Sequence, residues 1–184
     1  MMDREFAEQT ITRFLNDDEK KILLIKGYDN EAKLKTSLTC LNRKFKKGAF
    51  RTSYMPDISN TINNIIGGNV LPHRVSSTKL YKLGNMKINF SSYTTNTKNN
   101  PIGNDDTFTL YYPVRLVLDD KKRYERFLDE LNNVKSSKVI LITHVEWGIK
   151  NFDIENHVDE VFFYDVERDN PEIMQNLRNN GAFE

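Results

Sequence analysis

The chain has 184 residues, 38% of them hydrophobic and 29% charged, which is enough apolar material for one packed domain and argues against a disordered chain. Lys+Arg number 27 against 26 Asp+Glu, so net charge alone points to no partner. No apolar run nears the roughly 20 residues of a membrane helix, residues 1–16 lack the apolar stretch of a signal peptide, and the lone Cys40 excludes an intramolecular disulfide and a cysteine-rich zinc site.

The pattern predicts these elements in chain order. Phe6 to Leu15 reads as a leading helix within residues 1–18. Lys21 to Lys26 (KILLIK) is a compact apolar run that suits a buried strand. Glu31 to Lys46 is helical, with Leu34, Leu38, Leu41 and Phe45 on one stripe and Gly48 placed to stop it. Phe50 to Met55 is expected to be the second strand. Pro56 and Asp57 then open a short helix with Ile58, Ile62, Ile65 and Ile66 on one side and Gly67-Gly68 behind it. Lys79 to Leu83 and Met86 to Tyr93 form a hairpin about Gly84-Asn85, and Thr94 to Asp106 is a polar loop.

Thr107 to Leu118 reads as a strand that Pro113 bends or places at an edge. Asp119 or Asp120 caps a helix in which Tyr124, Phe127, Leu128 and Leu131 share a face. Lys138 to Thr143 (KVILIT) is a second apolar strand, and Glu160 to Val166 a third. Asp169 or Asn170, with Pro171, starts a last helix that Gly181 ends. Strand–helix alternation with an inserted β-hairpin predicts one α/β domain over residues 1–184. Its form is a three-layer sandwich around a mostly parallel or mixed sheet, with hairpin and polar loop at 79–106.

Charge is divided along the chain. From Ala32 to Asn104 the only acid is Asp57, whereas acids dominate from Asp105 onward. In the basic stretch, Lys33, Lys35, Arg43, Lys44, Lys46, Lys47 and Arg51 fall on one helix and its exit. Arg74, Lys79, Lys82, Lys87 and Lys98 come from the hairpin region. Phe45, Phe50, Tyr54, Tyr81, Phe90 and Tyr93 are interleaved. Cations that displace counterions from phosphates, with aromatics to stack, are the ingredients of nucleic-acid binding. The expected nucleic-acid-binding set is Lys33, Lys35, Arg43, Lys44, Lys46, Lys47, Arg51, Lys79, Lys82 and Lys87. The expected protein is cytoplasmic, needs no cofactor and has no membrane attachment. Its acidic C-terminal half meets a protein partner or a second copy.

Three patterns bear on phosphate chemistry. Gly27 to Leu34 (GYDNEAKL) resembles the phosphate-binding loop G-x-x-x-x-G-K-[ST] between a strand and a helix, with Ala32 and Leu34 at its Gly and Ser/Thr positions. The resemblance implies a nucleotide-binding site, but Asp29 and Glu31 bring negative charge to the place of phosphate. Ser77-Thr78-Lys79-Leu80-Tyr81 and Phe90-Ser91-Ser92-Tyr93-Thr94 resemble the H-x-K and G-S core of phospholipase D-like nucleases. That likeness implies phosphate held by Lys79 and Ser92, with Ser77 in place of the histidine nucleophile. Asp57 with Asp119 or Asp120 and Lys121 echoes the P-D…(D/E)-x-K nuclease pattern, in which acids hold magnesium. The alternatives to a binding module are therefore a phosphodiester-cleaving enzyme or a degenerate nucleotide-binding domain. His73, His144 and His157 lack helical metal spacing, and His144 stands at the end of KVILIT where open α/β sheets place ligands. Cys40 lies off the apolar stripe with no activating partner, and Trp147 is a candidate anchor for a partner.

Overall fold

The computed structural model describes residues 2–95, 101–114, 120–144 and 153–181. The chain is an α/β sandwich around a seven-stranded sheet of order β3-β4-β2-β5-β6-β1-β7. The strands are β1 (Ile22–Lys26), β2 (Lys47–Thr52), β3 (Leu80–Leu83), β4 (Met86–Ser92), β5 (Thr107–Tyr112), β6 (Lys138–Ile142) and β7 (Glu160–Phe163). All neighbours pair in parallel except β3, which runs antiparallel to β4. The helices are α1 (Asp3–Asn16), α2 (Asn30–Lys44), α3 (Ile58–Ile66), α4 (Lys121–Asn133) and α5 (Pro171–Asn179). No helix among the described residues is long and apolar enough to cross a membrane.

The alternation of side chains along each strand divides the core in two. Leu23, Ile25, Phe50, Phe108, Leu110, Ile140 and Ile142 face α1, α2, α3 and α5. Leu24, Tyr111, Val139 and Leu141 face α4 and the 3-10 turn at Ile154–His157. The central strands β1 and β6 are covered on both sides, which is why KILLIK and KVILIT read as continuous apolar runs.

Several boundaries differ from the sequence expectation. β2 begins at Lys47, three residues before Phe50, and Gly48 lies inside it rather than ending α2. Helix α2 ends because Phe45 turns extended, at φ −110° and ψ 151°. Gly48 has a packing reason: a Cβ there would stand 2.2 Å from Phe108 Cε1. The strand expected from Thr107 stops at Tyr112, before Pro113, which has no N–H to donate; the rest of that expectation, 115–118, lies outside the described residues. β7 is an edge strand rather than a buried one, with Val161 41% and Phe163 45% exposed. The hairpin turns at Gly84-Asn85 as read, with Leu83 opposite Met86 and Gly84 at φ +59°. Asp120 caps α4, its carboxylate accepting from the Arg123 N–H at 2.8 Å.

Candidate functional site: the two ends of strand β2

The connections leaving β1 and β2 pass to the face of α2 and α3, whereas α4, after β5, and Ile154, after β6, pack on the opposite face. Chain direction therefore splits between β1 and β6, and again between β2 and β5. Such switch points, outside the carboxyl ends of the strands, are where open α/β sheets hold ligands.

The turn after β1 fills the first switch point with the protein's own groups. Lys33 is 0% exposed. Its ammonium donates to the carbonyl of Gly27 and, at 2.7 Å, to that of Thr143 at the end of β6. The Asp29 carboxylate caps α2, accepting from Ala32 N–H at 2.8 Å and from Asn170 Nδ2 at 3.2 Å. A carboxylate thus takes a helix-terminal N–H that a phosphate would need. Gly27, at φ +133°, lets the turn press onto the Tyr164 carbonyl; a Cβ there would lie 2.4 Å from that oxygen.

The second switch point is open. A crevice of about 130 Å³ lies outside the ends of β2, β5 and β6, lined by Thr52, Ser53, Asp57, Thr61, Tyr112 and His144 among others. Asp57 stands at the N-terminus of α3 without capping it; its carboxylate accepts from the Thr61 hydroxyl at 3.3 Å. Burial, aided by the charges of Glu31, Asp57 and Asp29, pushes the Tyr112 phenol up to about 12.

The amino-terminal end of β2 is positive. Lys47 is in register with Lys87 on β4, and Lys87 with Lys82 on β3. Directly paired residues project to one side of a sheet, so the three ammonium-bearing side chains form one row. All three are exposed, and none forms an ion pair with a described residue. Lys46 is also exposed and adjoins the row, its carbonyl accepting the Lys87 N–H at 2.9 Å.

The remaining predicted cations do not join that row. Arg51 is 1% exposed and belongs to the interior. It meets Glu130 of α4 at 2.9 Å through Nε and Ser91 of β4 at 2.6 Å through Nη1. Lys33 and Arg51 are thus corrections to the expected nucleic-acid-binding set: both are buried on the protein's own acceptors, out of reach of an external polyanion. Arg43 pairs with Glu8 at 2.8 Å, holding that carboxyl below its ordinary range. The Lys44 ammonium donates to the Leu15 carbonyl, so both residues fasten α2 to α1. Lys35 lies on α2, across the sheet from the row, while Lys79 is exposed just before β3. Aromatic stacking partners are scarce in this region, because Phe45, Phe50, Phe90 and Tyr93 are buried; Tyr54 is exposed but lines the crevice end of β2.

Other motifs take structural places. Ser91 is buried on Arg51, and Ser92 bonds Thr94 at 3.0 Å. Asp120 is spent as a helix cap, and Asp119 lies outside the described residues, as does Trp147. No group of three or more metal-binding side chains occurs among the described residues. His157 meets Asp153 at 3.4 Å, and His73 is exposed. Burial raises the Cys40 thiol above its ordinary value. Sequence reading missed the Arg51–Glu130–Tyr111 cluster, in which the Tyr111 hydroxyl donates to Glu130 at 2.9 Å. No local signal marks three residues on β2, β5 and α4 as neighbours. In comparisons with known proteins, no family model, no curated protein and no solved structure matches this chain.

Proposed function

We propose that this protein is a non-catalytic nucleic-acid-binding module. It holds phosphate backbone across Lys47, Lys87 and Lys82, with Lys46 alongside. The observation that carries this reading is the in-register row of lysines that have no carboxylate partner among the described residues. Like charges placed directly opposite one another on a sheet destabilise it. A polyanion relieves that repulsion and gains counterion release at the same time. Contacts of this kind position a backbone and carry little base information, so binding should be nearly indifferent to sequence. In this reading the module works in the cytoplasm as a subunit of a larger assembly, docked through its acidic C-terminal half.

The catalytic alternatives have less support. The turn resembling a phosphate-binding loop has its Lys33 turned onto carbonyls and its helix terminus capped by Asp29. The hairpin has Ser91 committed to Arg51. The test is a fluorescence-anisotropy titration of labelled duplex and single-stranded oligonucleotides over a range of salt. Saturable binding that weakens steeply with salt is the expected result; no binding to either oligonucleotide at low salt refutes the proposal.

A further inference from the structure

We propose that the crevice at the carboxyl ends of β2, β5 and β6 is a binding site for a small organic cation, an alkylammonium or guanidinium group seated between Asp57 and Tyr112. Two independent observations converge there. The first is the cavity itself, about 130 Å³ at a point where the chain connections split to opposite faces of the sheet. That volume approaches the cavities that admit a benzene-sized molecule, so it suits a ligand of about six non-hydrogen atoms.

The second is the Tyr112 side chain. It lines the crevice with its ring buried, while its hydroxyl bonds no described residue and is not sealed from the crevice. A phenol so placed can both donate and accept. A ligand in the crevice meets that hydroxyl in place of water.

The sign of the ligand follows from the charges around the cavity. Asp57 lines the wall and is not used as a helix cap, so its carboxylate keeps acceptor capacity beyond the single Thr61 contact. Glu31 and Asp29 add negative potential at the Tyr112 oxygen, and no lysine or arginine lines the crevice among the described residues. An anion would enter against the Asp57 carboxylate in the wall, whereas an ammonium or guanidinium donates to it in a charge-assisted hydrogen bond. Apolar contact comes from Ile58 and Pro113. This site is separate from the lysine row. Six residues of β2 separate the two ends by about 16 Å at the usual rise per residue.

The experiment uses the full chain, isotope-labelled, with ethylguanidinium and n-butylammonium as probes and butyrate and n-butanol as controls. The expected result is saturable amide shifts confined to the segments around Thr52–Thr61, Tyr112 and His144, at millimolar cation and with neither control. Asp57→Asn should weaken cation binding about ten-fold, the loss of one charge-assisted contact. Tyr112→Phe should weaken it less, and thermal melting of each variant verifies that it is folded. Equal response to butyrate or butanol, absence of shifts with both cations, or undiminished binding in Asp57→Asn each overturns the proposal. None of these outcomes depends on nucleic acid, so this site and the lysine row stand or fall separately.

Discussion

Replacing Lys47, Lys87 and Lys82 with glutamine removes three ammonium groups from adjacent strands while keeping side-chain length. If each neutralises one phosphate, the slope of log K against log salt falls by about 2.7 on duplex DNA and by about 2.1 on a single strand. Over a fourfold rise in salt, from about 50 to about 200 mM, a slope difference of 2.7 is about 40-fold in affinity. The native protein's advantage over the triple variant should shrink by that factor. Structure also predicts the effect on the unbound fold. Lys87 lies between the other two in the register, so Lys87→Gln relieves two repulsive contacts. It should leave the melting temperature unchanged or raise stability by on the order of 0.5 kcal/mol. Anisotropy titrations at several salt concentrations, paired with thermal melts, read both quantities. An unchanged salt slope in the triple variant would refute the role of the row. A marked loss of stability in Lys87→Gln would refute the cross-strand geometry behind it.

Other consequences follow from groups already placed. Arg51→Met strands Glu130 and Ser91 and should cost about 3 kcal/mol, reduced somewhat because Glu130 reaches solvent; adding Glu130→Leu should recover a substantial part of it in denaturant titrations, whereas strict additivity would contradict the pairing. Gly48→Ala forces a methyl against the Phe108 ring, itself packed on Phe45 at 5.5 Å, and should lower stability by about 1–3 kcal/mol; a neutral result would show that the ring can move aside. The Tyr112 phenol is raised in the fold to about 12, so the neutral form is the one the fold favours. Its contribution, about 2–3 kcal/mol at most, is fully present below the unfolded value near 10 and is lost as pH rises through 12. Tyr112→Phe should therefore flatten the fall in melting temperature over that alkaline window, and an unaltered fall would contradict the burial that raises the Tyr112 phenol.

Local pattern determined most of the elements. The apolar runs KILLIK and KVILIT became adjacent parallel strands, because a strand covered on both faces needs no polar alternation. The stripe Leu34, Leu38, Leu41 and Phe45, the hairpin at Gly84-Asn85 and an aspartate cap at 119 or 120, which the fold gives to Asp120, are equally legible, since each depends on residues a few positions apart. The reading failed where two meanings of one residue compete: a glycine after a helix can end it or, like Gly48, sit in a strand under an aromatic ring. It failed also for the run EVFF, whose apolarity does not reveal that it ends a sheet rather than crossing its middle.

The sites were legible in kind but not in membership. The excess of cations between Ala32 and Asn104 is visible in the sequence, yet only strand pairing joins Lys47 to Lys87, forty positions away, and turns Arg51, four residues from Lys47 on the same side of β2, into the core against Glu130. His144 was placed correctly at a strand end, while Tyr112 and Asp57 join it only because β2 and β5 lie side by side. A charge or a hydroxyl acquires its role from the dielectric and the partners around it, and those are set by register and layer, which distant segments decide together.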